Sequence, residues 1–415
     1  MTLVSSSIYT FIATAMKMLT GLIINKFIAI YIGPSGLAVI GNLQSIMQLI
    51  VTLSQAGIAN GAVKYTAQYR IDEKNIAPLF STAAKICLIA SSVVGVVLIL
   101  LSRPLSVQFL NSADYYYVLV LLGATAPFLA LNSILISIIN GLKEIRLWFE
   151  INIIQSLSSL IFATVLIAVW GLKGALVALA TYQSVVFVIL LRKLKGHLII
   201  KISQFKLKIE PALAKQLFAF SIMALTSAVA VPVSHIIIRE YIGSNLGWES
   251  AGYWQALWYI STMYLMVVTT SLGVYYLPRL SEIKVKSELT QELQKGLCLI
   301  VPFVSLMAFA IYLTRGFLIG ILFSEEFMVL RDLLLWQLVG DVIKVAAWLI
   351  GYVTVARAMV KTFVVLEILG SLVFVILSIS FVSVYGLVGI TYAYSFNYFV
   401  YLLVMLLIYR KITLK

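Results

Sequence analysis

Runs of roughly twenty predominantly apolar residues recur along the chain, separated by short breaks rich in glycine or charge. A helix rises about 1.5 Å per residue, so runs of this length match the roughly 30 Å hydrocarbon core of a bilayer. The pattern predicts about twelve spans, over 7–32, 36–63, 77–101, 115–140, 147–170, 172–191, 213–241, 251–276, 294–313, 327–356, 361–384 and 386–409. A β-barrel would instead show alternating segments of about ten residues, which are not seen.

Composition agrees with an all-α polytopic membrane protein: 62% of the 415 residues are hydrophobic and only 11% are charged. A soluble protein could not cover so much apolar surface. The first segment, MTLVSSSIYTFIATAMK, lacks a basic n-region and a small-residue cleavage site, so it is expected to remain as the first span. Cys87 and Cys298 both fall in apolar segments and offer neither a disulfide framework nor metal-ligand spacing. No cofactor is expected.

Loop charge sets the orientation. The loops after even-numbered spans and the C-terminal tail hold most of the Lys and Arg, from Lys64 and Arg70 to Arg410, Lys411 and Lys415, whereas the opposite loops hold Arg103, Lys173 and Arg315. The positive-inside rule therefore predicts cytoplasmic termini, and a net charge of +14 that faces anionic lipid rather than nucleic acid.

The basic loop 192–215 is the longest and divides the chain into an N-terminal six-helix lobe, 1–205, and a C-terminal one, 206–415. Tyr31-Ile32-Gly33 recurs as Tyr241-Ile242-Gly243, and Gly171-Leu172-Lys173-Gly174 recurs as Gly386-Leu387-Val388-Gly389. Ordered matches at a nearly constant offset argue for duplication. Six spans per repeat preserve orientation, so the lobes are expected to be parallel repeats about an axis along the membrane normal, with a central cavity between them.

Charge inside spans carries the functional signal, because a Lys, Arg or Asp near a span centre costs roughly 2.5–3.5 kcal/mol even on the gentler scales. The segment FMVLRDLLLWQLVGDVIKVAAWLIGYVTVAR, 327–357, contains Arg331, Asp332, Asp341 and Lys344. Asp341 and Lys344 share a helix face with Gln337 and Trp348, either as a clamp between helices or as a ligand site. Lys17 lies mid-span on a stripe with Thr10, Thr14, Gly21 and Asn25, and has no acidic residue in its own helix; Lys26 lies nearer the outer end. In the seventh span Pro232 precedes His235 and Arg239.

Positive charge in the spans, at Lys17, Lys26, Arg239, Arg331 and Lys344, outweighs Asp332, Asp341 and Glu367. An exporter of cationic drugs would want the reverse. Guanidinium and ammonium groups suit phosphate, and span 8 adds Gln255 and the aromatic residues Tyr253, Trp254, Trp258, Tyr259, Tyr264, Tyr275 and Tyr276, whose rings could stack on sugars. The seven charged residues are accordingly candidate substrate contacts: Lys17, Lys26, Arg239, Arg331, Asp332, Asp341 and Lys344. There is no G-x-x-x-x-G-K-[ST] loop, no H-E-x-x-H pair and no large loop to house a nucleotide or a glycosyltransferase site, so an enzyme is not expected.

QAGIANGAVKYTAQY (55–69), SLGVYYLPRLSE (271–282) and RDLLLWQLVGDVIKVAAWLIGYVTVA (331–356) resemble the corresponding stretches of bacterial flippases for undecaprenyl-pyrophosphate-linked oligosaccharides, those of the enterobacterial common antigen and of O-antigens among them. The resemblance runs along essentially the whole chain. It implies the multidrug/oligosaccharidyl-lipid/polysaccharide exporter fold, and transfer of a lipid-linked oligosaccharide to the periplasmic leaflet of the inner membrane by alternating access. It also implies the bilayer, a polysaccharide polymerase and a chain-length regulator as partners. A drug/cation antiporter of the same superfamily is the alternative, with a membrane glycosyltransferase or polymerase behind it.

Overall fold

In a computed structural model, which describes residues 3–69, 73–195, 208–219, 221–283, 285–357 and 359–414, the apolar runs are helices, and no strand occurs among the described residues. The first half contains α1 (Leu3–Tyr31), α2 (Gly33–Ser54), α3 (Ala59–Gln68), α4 (Glu73–Leu100), α5 (Ser102–Leu110), α6 (Tyr116–Gly141), α7 (Ile145–Leu194) and the short α8 (Pro211–Phe218). The second contains α9 (Ser221–Leu246), α10 (Trp248–Ser271), α11 (Leu277–Glu282), α12 (Lys286–Leu313), α13 (Arg315–Leu322), α14 (Leu330–Ala356), α15 (Val360–Tyr385) and α16 (Val388–Leu414). A five-residue π-helical segment, Leu272–Tyr276, joins α10 to α11.

Ten of these helices are long and apolar enough to cross a bilayer among the described residues. The 50-residue α7 combines the two spans expected over 147–191 but bends at Gly171, and the 24-residue α10 covers most of the expected span 251–276 but is more polar and is not among the ten. Two expected spans are interrupted. The run 36–63 breaks at residues 55–57, where Ala56 and Gly57 both have positive φ, and the run 213–241 separates into α8 and α9. Within the basic loop, residues 196–207, including Lys201 and Lys206, lie outside the described residues.

By internal packing, Met1–Ile32 and Val39–Pro232 form one unit, and Gly33–Ala38 with Val233–Lys415 form another. In the first, Phe80, Leu135, Ile139 and Leu190 join α4, α6 and α7. Leu213 and Leu217 bury α8 against Ile58, Leu79 and Ala83, which fixes that amphipathic helix in this unit. In the second, Ile238, Trp254, Phe374 and Tyr394 join α9, α10, α15 and α16. Arg279 pairs with Glu288 at 2.9 Å and ties α11 to α12. α12 and α15 leave long apolar stripes outside, including Leu299, Leu306, Phe309, Leu372 and Ile376, as helices that face lipid do.

One repeated motif folds the same way twice. Gly171 (φ 55°, ψ −131°) and Gly386 (φ 62°, ψ −148°) take left-handed conformations open to glycine at little cost. Three residues on, a Cβ at Gly174 would lie 1.8 Å from the Leu166 carbonyl oxygen, and one at Gly389 would lie 2.2 Å from that of Phe381. The paired positions share the offset of the two tetrapeptides. The other motif is not equivalent: α1 stops before Gly33, which has φ 76°, while α9 runs through Gly243 and stops at Gly247, φ 90°.

Candidate functional site

Residues Leu330–Ala356 form one uninterrupted helix, α14, in which Gln337, Asp341, Lys344 and Trp348 follow one another at spacings of four, three and four. That face turns inward. Gln337, Asp341 and Lys344 are 1%, 0% and 5% exposed. An ionised group so buried must be met by hydrogen-bond partners, and these come from two neighbouring helices.

The carboxylate of Asp341 accepts three hydroxyl hydrogen bonds. On Oδ2 they come from Ser261 of α10 at 2.6 Å and from Tyr264 of the same helix at 2.9 Å; on Oδ1 the donor is Tyr394 of α16, at 2.7 Å. Gln337 Nε2 donates to Ser261 Oγ at 2.9 Å, and Lys344 Nζ donates to the Tyr394 hydroxyl at 3.2 Å. Asp341 and Lys344 are therefore not a direct ion pair. The Tyr394 hydroxyl stands between them, accepting from one and donating to the other. Hydrogen bonds to charged groups contribute about 1.5–3 kcal/mol each, so this set holds α10, α14 and α16 together as well as solvating the charges.

The backbone makes room for the bridge. A Cβ at Gly340 would fall 2.4 Å from the Tyr394 ring, so glycine alone lets that ring lie flat on α14. The next residue of α16 adds a second tie, Ser395 Oγ to the Trp336 carbonyl.

Aromatic rings close the rest of the site. Lys344 Nζ lies 4.7 Å from the rings of Trp258 and Trp348, 5.1 Å from Tyr398 and 5.5 Å from Tyr394. The His235 ring of α9 lies 4.4 Å from that of Trp258, tilted by 41°, and Arg239, one turn further along α9, is 1% exposed. Arg239 donates to Gln255 Oε1 at 2.6 Å and lies 5.5 Å from the Trp254 ring. The indole N–H groups of Trp254 and Trp258, and Oε1 of Gln337, are buried with no hydrogen-bond partner among the described residues.

The seven residues singled out from the sequence are thus in different settings. Arg239, Asp341 and Lys344 are buried in the second unit around one cluster of rings. Arg331 and Asp332 are exposed in the first turn of α14, about 14–15 Å along the helix from Asp341, and do not join that cluster. Lys17, expected to be buried mid-span, is exposed on α1, and Lys26 is half-buried on the same helix of the first unit. Ser261 and Tyr394 were not legible as site residues. Their hydroxyls carry no charge penalty in a span, and only the run Tyr392, Tyr394, Tyr398, Tyr401 hinted at a wet face on α16. Among the described residues no group of His, Cys, Asp and Glu is arranged to hold a metal ion.

The polysaccharide biosynthesis protein family matches residues 3–284. The chain is 31% identical to the lipid III flippases of Escherichia coli K12 and of Shigella flexneri over 401 residues, covering 97% of this chain and 96% of each of those. Its fold resembles an inward-facing multidrug resistance MATE family transporter of the MOP superfamily, with a TM-score of 0.76 and 16% identity over 96% of this chain and 94% of that one. It also resembles a MOP superfamily transporter from Pyrococcus furiosus described as having a binding pocket of reverse polarity, with a TM-score of 0.65 and 14% identity over 97% and 95% of the two chains. A multi-pass helical chain with the MOP transporter fold, matched over most of its length by one family, this protein belongs to the polysaccharide biosynthesis protein family.

Proposed function

We propose that the chain is a flippase that carries an undecaprenyl-pyrophosphate-linked oligosaccharide repeat unit from the cytoplasmic to the periplasmic leaflet by alternating access, in O-antigen or enterobacterial common antigen assembly. The observation that carries this reading is the 31% identity to lipid III flippases over 97% of the chain. The side-chain chemistry supports it. The diphosphate is anionic and the spans hold more Lys and Arg than Asp and Glu. Exposed Lys17 and Arg331 are free of the cluster around Asp341 and are suited to phosphate, with Lys26 and Asp332 on the same two helices. Arg239, Asp341 and Lys344 support a cluster of rings in which Trp258, Trp348 and Tyr398 are half-buried, and such rings are suited to stacking on sugar faces.

In this reading the protein is a multi-pass protein of the bacterial inner membrane with both termini in the cytoplasm, as its loop charges favour. Its two six-helix repeats are 1–205 and 206–415, and it hands its cargo to a polysaccharide polymerase and chain-length regulator. No nucleotide site is invoked, so the driving force comes from outside the chain. The test is complementation: expressed in cells that lack their own lipid III flippase, the chain restores surface glycan. Accumulation of the lipid-linked unit inside those cells despite normal membrane abundance would reject the reading for that substrate.

A further inference from the structure

Four rings from three helices surround one ammonium group. Trp258 of α10, Trp348 of α14 and Tyr398 of α16 stand 4.7–5.1 Å from Lys344 Nζ, within the distance at which a ring quadrupole attracts a cation, and Tyr394 of α16 meets it through its hydroxyl at 3.2 Å. An ammonium poised for phosphate would point its donors at open space. This one is 5% exposed, makes one hydrogen bond, to Tyr394, and otherwise meets ring faces. Boxes of aromatic faces are a form in which proteins recognise alkylammonium ions.

The surroundings add to that preference. The Tyr394 hydroxyl that touches Nζ is itself bonded to the carboxylate of Asp341, so negative charge lies just behind the box. Trp258, Trp348 and Tyr398 are half-buried rather than buried, which leaves the box a side that is not sealed by protein. Remove the lysine and what remains is a set of ring faces backed by a carboxylate that has lost its counter-charge.

We propose that Lys344 is the resident occupant of an organic-cation site, and that by filling it the chain excludes alkylammonium ions from a place otherwise built to hold them. The lysine then sets the sign of what the second unit accepts by exclusion as well as by attraction. This goes beyond the flippase reading and does not depend on it.

The test is cation binding by the purified full-length chain in lipid nanodiscs, titrated with tetramethylammonium chloride against sodium chloride at equal ionic strength and followed by calorimetry and indole fluorescence. The wild-type chain binds no tetramethylammonium saturably. Lys344→Ala binds it at least about tenfold more tightly than wild type, and adding Trp348→Leu removes that gain. Lys344→Met, whose uncharged arm still fills the box, stays non-binding. Should the alanine chain not survive extraction, Lys344→Ser, whose short side chain also vacates the box, is titrated in its place. Saturable binding by the wild type, or no tightening in whichever of these two variants folds, overturns the proposal. Because no lipid-linked sugar enters the assay, that failure would leave the flippase reading untouched.

Discussion

Tyr394 reaches the carboxylate of Asp341 at 2.7 Å only because Gly340, the residue before Asp341, has no side chain: a Cβ there would stand 2.4 Å from the Tyr394 ring. Gly340→Ala must therefore push α16 off α14 or expel the ring. Overpacking of this kind costs about 1–3 kcal/mol, with loss of the Tyr394 hydrogen bonds in addition. Gly351 of the same helix is the control, since a Cβ there meets Met405 at 3.7 Å, an ordinary contact. Thermal unfolding in detergent is expected to show a clearly lowered midpoint for Gly340→Ala and little change for Gly351→Ala.

The environments of Asp341 and Lys344 are not interchangeable, which makes a charge exchange informative. Asp341 sits among three hydroxyl donors, and Lys344 among three ring faces and the Tyr394 hydroxyl. In Asp341→Lys with Lys344→Asp the hydroxyls around position 341 could turn to accept from an ammonium, but a carboxylate at 344 would be set against the negative faces of Trp258, Trp348 and Tyr398. Removing one partner of a buried charged set costs about 3–5 kcal/mol, and the exchange is expected to recover none of it. Membrane abundance of the two single variants and the double decides the matter. Recovery in the double would mean that the two charges sense each other more than their surroundings.

The charged positions in α14 could be read from the chain because a charge in a span is expensive and therefore conspicuous. Their partners could not. Ser261 and Tyr264 look like ordinary members of an aromatic helix, and Tyr394 lies some fifty residues away in the sequence. The spans were legible from length and hydropathy, but the break at residues 55–57 is marked only by Ser54, Gln55 and Gly57, too few to split a run judged by its mean hydropathy. Lys17 shows the opposite limit. Its mid-span position says that it needs a wet or polar setting, and nothing in one helix says which side of the fold that setting lies on.

The turns at Gly171–Gly174 and Gly386–Gly389 should respond alike if they are two copies of one device. At Gly174 and Gly389 an added Cβ collides with backbone oxygen, which cannot swing away; at Gly171 and Gly386 space is open and only the left-handed φ opposes substitution. Alanine is therefore expected to cost about 1–3 kcal/mol at the φ positions, whose ψ values put them in a region almost confined to glycine, and at least as much at the contact positions. Abundance of the folded protein after extraction ranks the four variants. A ranking that differs between the two turns would argue against their equivalence.

Loop charge predicts which ends of the helices face the cytoplasm. Ser112 caps the turn after α5 by accepting from the Asp114 amide, in a loop whose basic residue is Arg103. Lys286 opens α12 from a basic loop. With the two native cysteines replaced, Ser112→Cys is expected to react with an impermeant maleimide in intact spheroplasts, and Lys286→Cys only after the membrane is opened. The reverse labelling would invert the topology, and the direction of transport with it.

The most direct test of function follows a fluorescent polyprenyl-diphosphate oligosaccharide in vesicles that contain the purified chain. Dithionite added outside destroys the label in the outer leaflet, so protected label reports what has not crossed. With the chain present, protection is expected to fall from about half of the label toward zero, while vesicles without protein, or with a sugar-free polyprenol, hold theirs. A chain that leaves protection unchanged, yet drives efflux of a cationic dye from the same vesicles, would contradict the account and make this protein an exporter of cations.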